Sequence, residues 1–229
     1  MSDIKRTVPV ETTNEINALL NFLKEWNQNY YMLALIAINW GLRCSDILAL
    51  TVGSVIAGSG RRVQMADRIL VVEKKTGHER RIEINERMKD SLYEHIKLRT
   101  RFDGCLNLSA PLILSQKKGP EKTLKSLSRR QASAVINKAA KRIGIRGSIG
   151  MHGLRKTFAY QAWKNNIRVD VLQKILGHSS VAITHKYACI PMEYEVETYS
   201  KVNFGVPNTI KRTRKRSGIS PEMSTLGQM

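Results

Sequence analysis

The sequence predicts a mainly α-helical α+β fold that carries one small antiparallel β-sheet. Apolar residues recur at helical spacing over most of the chain. A single pair of β-branched runs flanks a turn containing glycine. The composition is that of an ordinary globular protein, 42% hydrophobic and 25% charged with only six prolines among 229 residues.

Each element follows from local chemistry. Thr12-Thr13-Asn14-Glu15 offers N-caps and an early acidic residue ahead of Ile16, Leu19, Leu20 and Leu23, so residues 13 to 27 form an amphipathic helix. Residues 29 to 41 form a second, more deeply buried helix that ends at Gly41. Ser45 caps a short third helix through Leu50, and the Gly- and Ser-rich stretch from 51 to 60 reads as a loop. Ile69–Val72 and Arg81–Ile84 pair as a hairpin turned at Lys74-Lys75-Thr76-Gly77-His78, with Gly77 in the positive-φ position. A helix from Glu86 to about Arg101 places Met88, Leu92 and Ile96 on one face. Pro111–Leu114 reads as a short strand followed by a polar turn at Lys117-Lys118-Gly119. Ser128 caps a basic helix that runs to Ile143. Four further helices span His152 to Lys164, Val169 to Leu176, Val181 to Cys189 and Met192 to Val202. Beyond Phe204 the periodicity ends, and Lys211 to Arg216 is a basic run. The expected organisation is one domain over residues 1–204 and a flexible basic tail over 205–229.

Charge is where the composition departs from the ordinary. Lys and Arg number 38 against 19 Asp and Glu, leaving a formal charge of +19. Such an excess attracts polyanions and speeds their association, which points to nucleic acid without saying which kind. Cys44, Cys105 and Cys189 are odd in number and share no metal-ligand spacing, so they read as reduced thiols of a cytoplasmic protein. The N-terminus has no signal-peptide core, and the most apolar stretch, Tyr31 to Leu42, is too short to cross a bilayer.

A set of residues suited to phosphodiester chemistry stands out against this background. Attack on phosphorus gathers negative charge on the non-bridging oxygens, and arginine offers a planar fork of donors that stays charged. Arg43 follows the buried second helix, and Arg155 lies in the first turn of another helix. His152, three residues before Arg155, shares its helix face and could exchange a proton with an attacking oxygen. His178 follows Gly177 in a turn between helices. Tyr187 would be the nucleophile, a weak one that needs neighbours to take its proton. Lys75, at the hairpin tip, could protonate the leaving hydroxyl. Taken singly, each arginine could merely bind a phosphate or a surface carboxylate, Lys75 could be a solvated turn lysine, and Tyr187 could be a core or interface tyrosine. His78, His95 and His185 read as structural or exposed.

Together the residues resemble the catalytic domain of the tyrosine recombinases, the phage integrase family. The resemblance rests on Gly41-Leu42-Arg43-Cys44-Ser45-Asp46, on Lys75-Thr76-Gly77, and above all on the block His152-Gly-Leu-Arg155, Leu176-Gly177-His178-Ser179-Ser180 and Tyr187-Ala188. It spans about residues 10 to 190. It implies the family's DNA breaking-rejoining fold and a 3′-phosphotyrosyl intermediate formed without a metal or other cofactor. In that scheme Arg43 and Arg155 clamp the scissile phosphate, and His152 does acid–base work. Lys75 protonates the 5′ oxygen and His178 supports the phosphate. Asp46 stands where the family usually has Glu and would support the arginine, and Lys74 replaces Lys75 if the hairpin register is shifted.

About ten residues precede the first helix, so the chain resembles short single-domain members that lack the usual N-terminal core-binding domain. Its grip on DNA should then depend on cooperating protomers, as a dimer or tetramer, or on an accessory DNA-bending or directionality protein. The segment after Tyr187 either packs on its own domain or docks on a neighbouring protomer. The expected function is site-specific recombination for a phage, a mobile element or a DNA-inversion switch. The alternative is a DNA-binding regulator on the same scaffold that does not cleave.

Overall fold

The computed structural model describes residues 7–58, 64–74, 77–103, 106–116 and 124–189. Lys75 and Thr76 of the hairpin tip, Cys105, the turn at Lys117 to Gly119, the helix expected from Met192 and the basic tail lie outside the described residues.

Helix α1, Thr13–Trp26, opens on a capping box in which Thr12 and Glu15 bond reciprocally. Helix α2, Gln28–Trp40, is apolar nearly all round and buries Tyr30, Met32, Leu33, Ala34, Ile36, Ala37 and Trp40. Such a helix must sit at the centre of a fold, and α2 packs against α1 and against the later helices α4, α5 and α6. It ends at Gly41, whose φ is +56°. A side chain there would overlap the Phe158 ring as well as strain the backbone, so glycine lets this turn close onto α6.

Helix α3 covers Cys44–Ile47, with Arg43 at its N-cap and no side-chain cap bond. The expected Ser45 cap is therefore displaced: Ser45 lies inside the helix and its hydroxyl donates to Asp46. The stretch from 51 is more ordered than a loop. Thr51 and Ser54 form a capping box on a 3-10 turn, Val52–Val55. A two-residue strand β1, Ile56–Ala57, then pairs antiparallel with β2, Gln64–Met65. The described residues thus form two small two-stranded sheets rather than one. Val52 and Val55 draw this segment in by being buried, whereas its glycines and serines suggest a free loop.

Strands β3, Arg68–Val72, and β4, Glu79–Glu83, form the expected hairpin, with Ile69 opposite Ile82 and Val71 opposite Arg80. Its exposure alternates strictly along β3, so Ile69 and Val71 face the core. Gly77 has φ +67°. Helix α4, Glu86–Asp103, buries Met88, Leu92 and Ile96 as its spacing requires. Pro111–Leu114 is not a strand. It makes single bridges, Thr51 with Pro111 and Leu114 with Ser126, while Leu112 and Ile113 plug the core. Proline at the start and bonds from Arg99 to the carbonyls of Pro111 and Leu112 divert the backbone from a ladder.

Helix α5, Arg129–Arg142, starts on the Ser128 capping box with Gln131. Helix α6 runs Gly150–Lys164, two residues earlier than expected, because Asn137 accepts the backbone N–H groups of Ile149 and Gly150. Helices α7, Val169–Leu176, and α8, Val181–Ala188, complete the described fold. One large core joins α1, α2, α4, α5, both sheets and the start of α6, and a smaller cluster of Ala159, Leu176 and Ala188 binds α6, α7 and α8. Among the described residues no helix is long and apolar enough to cross a membrane.

Candidate active site

The turn after α2, the hairpin turn at Lys74, the start of α5 and of α6, the α7–α8 turn and α8 converge on an open cleft of about 900 Å³. Five of the six expected site residues can be placed, and all five line it: Arg43, His152, Arg155, His178 and Tyr187. The sixth, Lys75, lies outside the described residues, but its neighbour Lys74 lines the same cleft.

Tyr187 stands between the two histidines. Its hydroxyl is 3.1 Å from Nδ1 of His152, and its ring meets the rings of His152 and His178 edge-on at 5.0 and 4.8 Å between centroids. With its proton on Nε2, His152 accepts the phenol hydrogen bond at Nδ1. Burial, helped by the cations Lys156 and Arg155, holds the His152 pKa below the usual histidine value. The ring is therefore neutral at neutral pH and free to take a proton. Burial raises the Tyr187 pKa, and the charges of Arg155 and Arg43 pull against that rise. The phenol is protonated in the DNA-free protein, with cations nearby for the phenolate that attack would demand.

Arg155 is 4% exposed. It projects from α6, where its Nη2 donates to the Leu176 carbonyl at the end of α7, tying the two helices. Its Nη1 is buried, and the guanidinium also engages the Tyr187 side chain, which draws the tyrosine pKa down against burial. Arg43 pairs with the fully buried Glu73. This changes the expectation for Asp46. Asp46 is buried, but it accepts from the Lys74 backbone N–H and the Ser45 hydroxyl, fastening the hairpin turn to α3. The carboxylate on Arg43 is Glu73.

His178 follows Gly177, the left-handed C-cap of α7 with φ +60°. Its Nδ1 lies 3.0 Å from the hydroxyl of the buried Thr184, which fixes the ring. Burial, then Arg155 and Arg43, lower its pKa to about 4. His178 is neutral at neutral pH and can donate to an oxygen without adding charge.

Sequence reasoning missed three contributors. Thr184 orients His178. Lys156 sits 5.9 Å from the centre of the Tyr187 ring while donating to the Thr7 carbonyl. Glu73 had a readable signal, because positions 69, 71 and 73 share the inward side of the hairpin strand and a charge there needs a partner. Among the described residues no group of three or more His, Cys, Asp or Glu could hold a metal ion.

A tyrosine hydroxyl beside a neutral imidazole, faced by two arginines and a second neutral histidine, can form a phosphotyrosine bond and stabilise the charge that develops. Fold and site define the class: a tyrosine recombinase catalytic domain. The model of the phage integrase family matches residues 10–193, and the chain belongs to that family, whose members cleave and rejoin DNA. It is 34% identical over 179 residues to the probable integrase/recombinase YoeC of Bacillus subtilis, covering 78% of this chain and 87% of YoeC. The tyrosine recombinase XerC of Thermodesulfovibrio yellowstonii is 26% identical over 163 residues, or 70% of this chain, which spans about half of that relative's length. The crystal structure of XerA recombinase shares the fold, with a TM-score of 0.64 and 20% identity over 88% of this chain and 65% of the XerA chain.

Proposed function

We propose that this chain is a site-specific DNA recombinase that works through a covalent 3′-phosphotyrosyl intermediate. The observation that carries this reading is the placement of the Tyr187 hydroxyl within reach of His152 Nδ1, in a cleft that Arg43, Arg155 and His178 also line. The phenol oxygen attacks the scissile phosphorus and its proton passes to His152. Arg43 and Arg155 hold the non-bridging oxygens, and a donor of this kind is worth about 3–4 kcal/mol in the transition state. His178 donates to the same phosphate. The P–O5′ bond breaks, and the leaving oxygen takes a proton from Lys75, or from Lys74 if the register is shifted. Rejoining runs the same steps backwards, with a DNA 5′-hydroxyl displacing the tyrosine.

The substrate in this reading is double-stranded DNA, consistent with the charge of +19. The protein would act as a dimer or tetramer on DNA, with an accessory DNA-bending or directionality protein where one protomer's grip is too weak. A pool of duplexes nicked within a randomised sequence provides the test. Once cleaved, the short fragment leaves and traps the adduct. We expect a denaturant-resistant protein–DNA adduct that is lost in Tyr187→Phe while DNA binding stays within a few-fold. Binding without any adduct would overturn the enzyme reading in favour of a regulator.

A further inference from the structure

Two guanidinium groups, those of Arg43 and Arg80, meet one carboxylate at the inner wall of the cleft. Glu73, with no exposure, contacts Arg43 through one oxygen and lies 3.8 Å from Arg80 Nη1 through the other. Arg80 is 7% exposed and anchored by a bond of 2.8 Å from its Nη2 to the Trp40 carbonyl, at the end of α2. Arg155 is close enough for its charge to depress the Arg80 pKa, which burial chiefly lowers to about 10. Without Glu73 these cations would repel one another in a poorly solvated space.

The carboxylate meets Arg43 on its inner edge. Arg43 Nη1 is buried, whereas the side chain as a whole keeps 22% exposure and lines the cleft. Glu73 itself does not line the cleft. The ion pair therefore leaves the outer edge of Arg43 turned toward the space where a phosphate would sit. The α7 C-cap makes room for this arrangement, since a Cβ at Gly177 would lie 3.2 Å from Glu73 Oε2 and 3.8 Å from Arg43 Nη2. Arg80, across the strand pair from Val71, reaches the carboxylate from the opposite side.

We propose that Glu73 is a positioning residue for the reaction: braced by Arg80 and given space by Gly177, it fixes Arg43 in its phosphate-gripping orientation before DNA arrives. This rests on the recombinase reading. Glu73 touches no reacting atom; it acts through Arg43. Fixing a donor in advance removes reorganisation from the chemical step, and small displacements of such a group can cost roughly a hundredfold in rate. The effect should fall on cleavage more than on binding, because the wider positive surface supplies most of the affinity.

The test is a double-mutant cycle on the single-turnover cleavage rate, using the pool of nicked randomised duplexes. Glu73→Gln should slow cleavage roughly tenfold to a hundredfold while DNA affinity changes less than about threefold. In an Arg43→Ala background the same substitution should have no further effect, because the residue through which it works is gone. Glu73→Asp keeps the charge and draws it back by one methylene; it serves if Glu73→Gln fails to fold, and should give a smaller loss that also vanishes with Arg43→Ala. Wild-type cleavage by either Glu73 variant overturns the proposal, as does an equal loss in both backgrounds, which marks a structural role alone. Absence of an adduct from the unsubstituted protein would instead refute the recombinase reading, so the two failures are distinguishable.

Discussion

The arginines of the cleft and its tyrosine are held by very different amounts of protein. Arg43 leaves the end of α2, whose Met32, Leu33 and Ile36 are wholly buried, and Arg155 projects from α6, which packs on that helix. Tyr187 rides on the eight-residue α8, tied by a small cluster of Ala159, Leu176 and Ala188 with Phe158 and Trp163 beside it. Val181 and Ile183 on the same helix stay 42% and 44% exposed. The difference follows from the chemistry assigned to each side. Donors that stabilise a transition state work best when fixed in advance, and a nucleophile that must enter and leave a covalent bond can sit on a lightly anchored element. Arg155 joins the two regions through its bond to the Leu176 carbonyl.

Cutting that link should have the largest effect. Arg155→Ala removes the proposed phosphate donor and the tie to α7 together, and should cost cleavage at least about 10²–10³-fold. In hydrogen exchange, the α7 and α8 amides should open faster while those of α2 do not change. Uniform exchange would mean that the two regions are one cooperative unit.

Truncating each cluster sharpens the contrast. Leu33→Ala should destabilise the whole domain by about 2–5 kcal/mol, read as a lower midpoint in urea. Leu176→Ala, equally buried, should act locally. Cleavage should fall by more than the global midpoint does, because the loss is spent on opening α7 and α8.

Acid acts on both regions, through His178 in the smaller and His95 in the larger, and His95 isolates the larger region's share. His95, fully buried in α4 with Nε2 2.9 Å from the Leu112 carbonyl, has its pKa lowered by burial to about 4. The unfolded chain, with an ordinary histidine value near 6.5, binds this proton first as pH falls. Stability is therefore lost from about pH 6.5 down to about pH 4 and levels off below, by about 3 kcal/mol from this group. Melting curves at pH 7 and 4.5 should show the wild type losing more than His95→Gln. Equal losses would remove His95 as the acid-sensitive point of the larger region.

Helices were legible in the sequence wherever one face had to be buried or one end capped. Leu19 and Leu23 with the Thr12–Glu15 box, and Ser128 with Gln131, announce α1 and α5 by local chemistry alone. The short elements were less legible because distant atoms determine them. The 3-10 turn at Val52 is anchored by bonds from the backbone of Val52 and Gly53 to the carbonyls of Ala110 and Leu108. In the same way Leu112 is shaped by Arg99 and His95 on α4. For the site, residue type and spacing named the groups facing the cleft, because each belongs to a motif local in sequence. The supporting shell was hidden for the opposite reason. Glu73 and Asp46 lie 30 and 3 residues from Arg43, and only the folded hairpin decides that the farther carboxylate meets the guanidinium while the nearer one holds the Lys74 backbone.

In the proposed mechanism one cleft brings Arg43, His152, Arg155 and His178 to act on a phosphate attacked by Tyr187. Mass spectrometry of the trapped, nuclease-trimmed and proteolysed adduct identifies the attacking residue. A nucleotide joined through its 3′-phosphate to the peptide containing Tyr187 is expected, with no such species from Tyr187→Phe. A nucleotide on any other residue, or an adduct that survives Tyr187→Phe, would contradict it.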